Sequence, residues 1–219
     1  MAMFSRGDAY IEQTDWVGKA MEEAEYHTLE QLSPERKYEY INGVAYMMSG
    51  DSIEHDLIAY NVRTALNRQL RTGPWRVFGV DVQVLLGKKK SGKPLFVYPD
   101  ATVSCEAADQ RRGNTLVETP RLVVEVLSPS TEARDRGIKF KAYQHCSSIQ
   151  EIVLINQYLP YLKVWQRNTE DPENPRAWLY RHYSAGKAVE LATLNMQIAM
   201  GEIYQDLEFE EDEEEDDEE

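Results

Sequence analysis

The sequence predicts a mixed α/β domain: a central mixed β-sheet flanked by helices, with an additional N-terminal β-hairpin and antiparallel strands towards the C-terminus. Three stretches carry that reading. Leu122–Leu127 is apolar throughout except for Glu125, as expected of an interior strand covered on both faces. Residues 52–71 repeat Ile53, Leu57, Ile58, Val62, Ala65, Leu66 and Leu70 at helical spacing, behind an Asp51-Ser52-Ile53-Glu54 start that resembles a capping box. The remaining apolar runs are short and β-rich, and Gly, Pro and Asn punctuate them.

Taken in order, residues 1–17 have no periodicity and are expected to form a flexible arm. Residues 17–32 read as an acidic helix with a sparse inner face of Ala20, Ala24 and Leu29, ended by Pro34. Asn42-Gly43, between Tyr38-Glu39-Tyr40-Ile41 and Val44-Ala45-Tyr46-Met47, is the strongest short hairpin signal and places Glu39 on the first strand. Gly73-Pro74 stops the long helix. Residues 75–86 and 95–105 follow as β-rich segments joined by a polar turn containing Lys88, Lys89, Lys90 and Lys93. Residues 109–120 form a loop with Arg111 and Arg112. After Leu122–Leu127, residues 129–146 read as a helix with Ile138, Ala142 and Cys146 as its inner stripe. Residues 149–155, 161–166, 177–183 and 188–191 then form the closing strands, with a turn over 168–175.

A chain of 219 residues suits one core, taken as 18–205, and a tail. The formal net charge of −14 is concentrated at the end: residues 206–219 hold 12 acidic and no basic residues, leaving 24 basic against 26 acidic elsewhere, a net of −2. The body therefore has room for basic patches, and the tail is expected to be disordered because it repels itself and has little apolar area to bury. Cys105 and Cys146, the only cysteines, exclude a disulfide framework or a Cys-rich zinc site. With no apolar run of 18 residues and no apolar signal core near Met1, a cytoplasmic setting without a membrane partner is expected.

The chemistry lies between Val97 and Tyr143. Asp100 ends one apolar strand and Glu125 interrupts another, and a carboxylate among valines is costly unless a cation or donor meets it. Two carboxylates on different strands suit one Mg²⁺, which takes hard oxygen ligands and needs only one or two from protein. A lysine downstream, Lys139, suits a phosphodiester site.

Pro99-Asp100, then Glu125-Val126-Leu127-Ser128-Pro129-Ser130, then Asp135-x-Gly137-x-Lys139-x-x-x-Tyr143 resembles the Uma family of restriction-endonuclease-like proteins within the PD-(D/E)XK nuclease superfamily. Tyr38-Glu39-x-Ile41-Asn42-Gly43 and His55 are similar to that family's hairpin and early helix, so the resemblance covers roughly 27–195. It implies a restriction-endonuclease-like core, Mg²⁺ with Mn²⁺ as a substitute, and DNA as partner. It further implies Asp100, Glu125 and the Val126 carbonyl as ligands, Glu39 as another ligand or orienter of metal-bound water, and His55 as a catalytic candidate. The superfamily pattern expects a lysine two residues after Glu125; Leu127 stands there, and the resemblance transfers that role to Lys139 on the following helix.

Structural alternatives stand beside each residue. Asp100 suits a loop cap, Glu125 a buried pair with Arg134, Lys139 a surface pair with Asp135, Glu39 a solvent-facing hairpin position, and His55 a cap or core role. Lys88, Lys89, Lys90, Lys93, Arg111, Arg112 and Arg136 are candidates for nucleic-acid contact, against solvated turns. Trp75, Tyr161 and Trp165 have chemistry for base stacking and equally for a core. Three functions follow: a Mg²⁺-dependent DNA endonuclease, a homodimer if one site per chain cuts both strands; a catalytically inactive DNA-binding or protein-interaction module; and an interaction protein whose acidic tail engages a basic surface in cis or in trans.

Overall fold

A computed structural model describes residues 18–48, 50–87, 94–170, 173–174 and 176–209. The expected arm 1–17, the lysines Lys88, Lys89, Lys90 and Lys93, and residues 210–219 of the expected tail lie outside the described residues.

Glu22 caps α1 (Glu23–Leu32) through a capping box with Glu25, so this helix starts six residues later than the sequence suggests. The preceding residues instead form a short strand, β1 (Lys19–Ala20), against the hairpin of β2 (Tyr38–Ile41) and β3 (Val44–Met47). Asn42 and Gly43 have φ of 55° and 85°, the left-handed pair that a two-residue hairpin turn of this twist requires. Ser52 caps α2 (Ile53–Leu70), its hydroxyl accepting from the His55 amide at 3.3 Å. The β-rich middle resolves into β4 (Arg76–Gly79), β5 (Gln83–Leu86), β6 (Leu95–Val97), β7 (Ala101–Ser104), β8 (Leu116–Val117) and β9 (Leu122–Leu127).

The expected helix over 129–146 is three pieces: α3 (Glu132–Arg134), a π-helical turn at Asp135–Lys139, and α4 (Phe140–His145). Its inner stripe is Asp135, Lys139 and Tyr143, all buried, whereas Ile138 is 43% exposed and Ala142 half-buried; of the expected stripe only Cys146 is buried. Polar partners beneath the helix, described below, override the apolar spacing. The chain closes with β10 (Glu151–Asn156), β11 (Tyr161–Arg167), β12 (Trp178–Ser184), β13 (Ala188–Leu191), β14 (Met196–Ala199) and α5 (Met200–Ile203). β14 and α5 extend the expected set. Leu207 and Phe209 pack against the core, so the packed body runs past the expected boundary at 205.

Among the described residues there are two six-stranded sheets and a two-stranded ribbon. The first sheet runs β1-β3-β2-β6-β5-β8, with β5 and β8 parallel; the second runs β12-β11-β10-β9-β7-β4, with β9 and β10 parallel. Both are mixed. The hairpin is integral to the first sheet, because Tyr40 on β2 pairs with Phe96 on β6. Between β6 and β7, Tyr98-Pro99-Asp100 carries the chain from one sheet to the other, and the site forms where the sheets part.

β9 lies between β7 and β10, and each face serves a different core. Leu122, Val124 and Val126 meet Ile58, Val62 and Leu66 of α2; Val123 and Leu127 meet Tyr143, Ile149 and Ile152. Strand alternation sets Glu125 on the second face, towards the π-helical turn. No helix among the described residues is long and apolar enough to cross a membrane.

Leu66 is fully buried between α2 and the second sheet. Leu66→Ala is expected to lower unfolding free energy by about 2–5 kcal/mol, read as a reduced urea midpoint with unchanged denaturant slope.

Candidate active site

One cleft gathers residues from five segments. β2 supplies Glu39, the start of α2 supplies His55, the inter-sheet crossing supplies Asp100, β9 supplies Glu125 and Val126, and the π-helical turn supplies Asp135 and Lys139. The cleft encloses about 50 Å³. Since one water needs roughly 10–15 Å³ of such space, it has room for a few waters or a small hydrated ion.

The Lys139 amine is the hub. Its Nζ lies 2.8 Å from Glu39 Oε1, 2.8 Å from Glu125 Oε1 and 2.9 Å from Asp135 Oδ1, so three carboxylates surround one ammonium. Only 3% of the residue is exposed. Burial alone would depress the amine, but Glu125, Glu39, the Tyr143 oxygen and Asp135 together hold its pKa well above the ordinary lysine value. It is an ammonium ion, not a base.

Glu125 has the opposite problem. Burial pushes its carboxyl well above the usual range, and Asp135, Asp100 and Glu39 add to the push that Lys139 counters. Tyr143 donates its phenol proton to the same Oε1 that faces Lys139. Burial and the Glu125 charge keep that phenol protonated. All these contacts fall on Oε1, on the side of β9 covered by the helix.

Asp100 is fixed from the other side. Its Oδ2 accepts from the Val126 amide at 2.7 Å, and Arg63 donates to its carbonyl at 3.4 Å. His55 Nε2 lies 2.9 Å from the Val126 carbonyl and 3.5 Å from Asp100 Oδ2, while Nδ1 is 3.8 Å from Asp51. Burial opposes the imidazolium, yet Asp100, Asp51 and the Val126 carbonyl outweigh it and raise its pKa. Arg134 reaches Glu39 Oε2 at 3.6 Å and lies over the Tyr46 ring, 4.4 Å from its centroid.

Glu39, His55, Asp100, Glu125, Val126 and Lys139 thus come together. The solvent-facing reading of Glu39 and the surface-pair reading of Lys139 both fail on burial, since each is at most 3% exposed. Asp135 does pair with Lys139, but inside the cleft. Arg136 is exposed and bonds Glu132 at 2.6 Å. Arg111 and Arg112 sit in the loop beyond Ser104, at the Leu122 end of β9 and away from the cleft.

Sequence reasoning did not nominate Asp135, Tyr143, Arg134 or Asp51 for the site. A signal existed for the first two, because Asp135, Lys139 and Tyr143 repeat at four-residue spacing, and the Ile138 stripe at the same spacing masked it. Arg134 and Asp51 depend on long-range placement.

A family model named Uma2 and described as "Putative restriction endonuclease" matches residues 23–201. The chain is similar to uncharacterized protein slr1290 of Synechocystis sp., 31% identical over 173 residues that cover 79% of this chain and 86% of that protein. It is also similar to uncharacterized protein sll1609 of the same organism, 27% identical over 150 residues, 68% and 82% of the two chains. A crystal structure of "a putative nuclease belonging to DUF820 from Anabaena variabilis" matches with a TM-score of 0.61, covering 78% of this chain and 90% of that one at 15% identity. At that identity the likeness is one of fold, and the fold is restriction-endonuclease-like.

Two outcomes follow from the buried charges. Lys139→Met leaves Glu39, Glu125 and Asp135 without their shared cation and is expected to destabilise the metal-free protein by about 3–5 kcal/mol, read by urea unfolding in EDTA. Glu125 and Lys139 have folded pKa values above their unfolded ones, so the fold binds their protons more tightly. Their stabilisation is complete below the unfolded values and is lost as pH rises through the raised ones. Metal-free stability should therefore fall as pH rises above the ordinary carboxylate range, and Glu125→Gln should reduce that fall, read by urea unfolding across a pH series.

Proposed function

As the chain belongs to the Uma2 family and is nuclease-like, we propose that it is a Mg²⁺-dependent endonuclease that hydrolyses DNA phosphodiester bonds across the cleft. The observation that carries this reading is the convergence of Glu39, Glu125 and Asp135 on the buried Lys139 ammonium, with Asp100 lining the same cleft.

The donor chemistry fits a hard divalent cation. Glu39, Asp51, Asp100, Glu125 and Asp135 line the cleft against Arg134 and Lys139, an excess of negative charge even with His55 protonated. The buried Asp135 Oδ1 lacks a well-aligned hydrogen-bond donor despite its approach to Lys139. Among the described residues no group of three or more His, Cys, Asp and Glu side chains is drawn together as a ready-made ion cage. Mg²⁺ does not require one, since it keeps most of its waters and takes one or two carboxylates. Asp100, Glu125 and the Val126 carbonyl would hold it, Glu39 would stand beside it, and Mn²⁺ would substitute. A bound ion would supply charge against the phosphate and acidify the attacking water.

The remaining chemistry belongs to the chain. Lys139, held as ammonium, opposes the negative charge that develops on the phosphoryl oxygens. Tyr143 fixes Glu125 through Oε1, and the Val126 amide fixes Asp100 through Oδ2, so each carboxylate keeps its second oxygen for a ligand. His55 orients the Val126 carbonyl. Leu127, buried in the core beneath, leaves the strand without the pattern's lysine, and Lys139 delivers the amine from above the same face.

Incubation with single-stranded and duplex DNA in Mg²⁺ or Mn²⁺ tests this reading. Cleavage is expected with either ion and not in EDTA, falling at least about a hundredfold in Asp100→Ala, Glu125→Ala and Lys139→Met. Cleavage that persists in both carboxylate variants would refute it, and DNA binding without product under any condition would identify an inactive nuclease-like module.

A further inference from the structure

The face of the second sheet that carries Glu125 continues sideways into an open shelf. Glu125 on β9 pairs with Leu154 on β10, which pairs with Lys163 on β11, which pairs with His182 on β12. One row along, Val123, Ile152, Trp165 and Tyr180 are aligned in the same way. Directly paired residues project to the same side, so Lys163, Trp165, Tyr180 and His182 stand on the side of Glu125. Three strand steps of ~4.8 Å put His182 roughly 14 Å from Glu125.

α4 covers only the near part of this face, where Phe140 meets Trp165 edge-on at 4.6 Å. Beyond it the rings form a continuous surface: Trp165 to Tyr180 is 5.3 Å, Tyr180 to His182 is 6.1 Å, and His182 to Tyr161 is 5.9 Å between centroids. Tyr180 and His182 are exposed, Tyr161, Lys163 and Trp165 half-buried. The Lys163 amine lies 5.8 Å from the Tyr161 ring centre, and Arg136 is near enough to Tyr180 for its charge to act on the phenol. In a chain of net charge −14, neither β11 nor β12 places a carboxylate on this face.

We propose that this shelf of Tyr161, Lys163, Tyr180 and His182 binds unpaired nucleotides of a single-stranded nucleic acid, stacking bases beside the cleft. The inference rests on the nuclease reading and narrows its substrate to strands that present unpaired bases. Aromatic rings stack on any base, and cations beside them take the phosphates, which gives sequence-tolerant single-strand binding. The small acidic cleft takes no base, so a scissile phosphate at its mouth needs its neighbouring nucleotides held elsewhere. The shelf lies on the same face and within reach.

The test uses the full chain and a fluorescein-labelled dT oligonucleotide, with Ca²⁺ as the divalent ion and anisotropy as the readout. Wild type is expected to bind. Tyr180→Ala combined with His182→Ala should weaken binding about tenfold or more. Tyr180→Phe, which keeps the ring, and Leu179→Ala, on the opposite face of β12, should both bind like wild type. Lys163→Gln should lower the slope of log affinity against log salt by about one. Absence of dT binding by wild type, or unchanged affinity in the double alanine variant, would overturn the proposal. So would a dimer that the double variant dissociates while oligonucleotide affinity stays constant, which would assign the face to a second copy of the chain. Metal-dependent duplex cleavage without dT binding would remove this inference alone; dT binding without cleavage of any substrate would remove the nuclease reading alone.

Discussion

Burying one ammonium among several carboxylates is the constraint around which this fold is arranged. Ions withdrawn from water at this depth are tolerated only when each meets a partner. Lys139 meets three, and they come from β2, β9 and its own helical turn. To bring them within 3 Å, the hairpin must join the first sheet, β9 must run through the middle of the second, and the helix must cross the gap between them. The π-helical turn at Asp135–Lys139 belongs to this arrangement: wide turns of this kind are uncommon and collect at functional sites. Charge balance remains incomplete, because Glu125, Asp100 and Asp51 add negative charge that Lys139 and Arg134 do not fully offset. That residue of uncompensated charge is what supports the proposal of a cation in the cleft.

A lysine two residues after Glu125 would share its face of β9, where Leu127 instead packs with Tyr143 and Ile149. Moving the amine to the helix keeps that core dry and approaches Glu125 from above. The same helix then supplies Tyr143, which fixes Glu125, and Asp135, which joins Glu125 and Glu39 around the amine.

Much of this was legible in the residues. Leu122–Leu127 showed itself as an interior strand through its composition, the Asn42-Gly43 turn through its demand for positive φ, and α2 through its apolar period. Asp100 and Glu125 were visible because a carboxylate at a strand end or inside an apolar strand needs a reason. The inner face of the helix over 132–145 was not visible, since Ile138 and Lys139 imply rival stripes, and only the acidic partners on β2 and β9 decide between them. The joining of the hairpin to β6, and the alignment of Tyr180 and His182 with Glu125, arise from pairings between segments far apart in sequence, which local periodicity does not carry.

Burial raises the Glu125 carboxyl well above the usual range, so an ion bound at the proposed site should expel protons. Calorimetric titration of Mn²⁺ into the metal-free protein, in two buffers of different ionisation enthalpy near neutral pH, measures both quantities together. The expected result is one ion per chain with net proton release, and loss of both in Glu125→Gln. Failure to bind an ion, or binding and proton release unchanged in Glu125→Gln, would contradict the account.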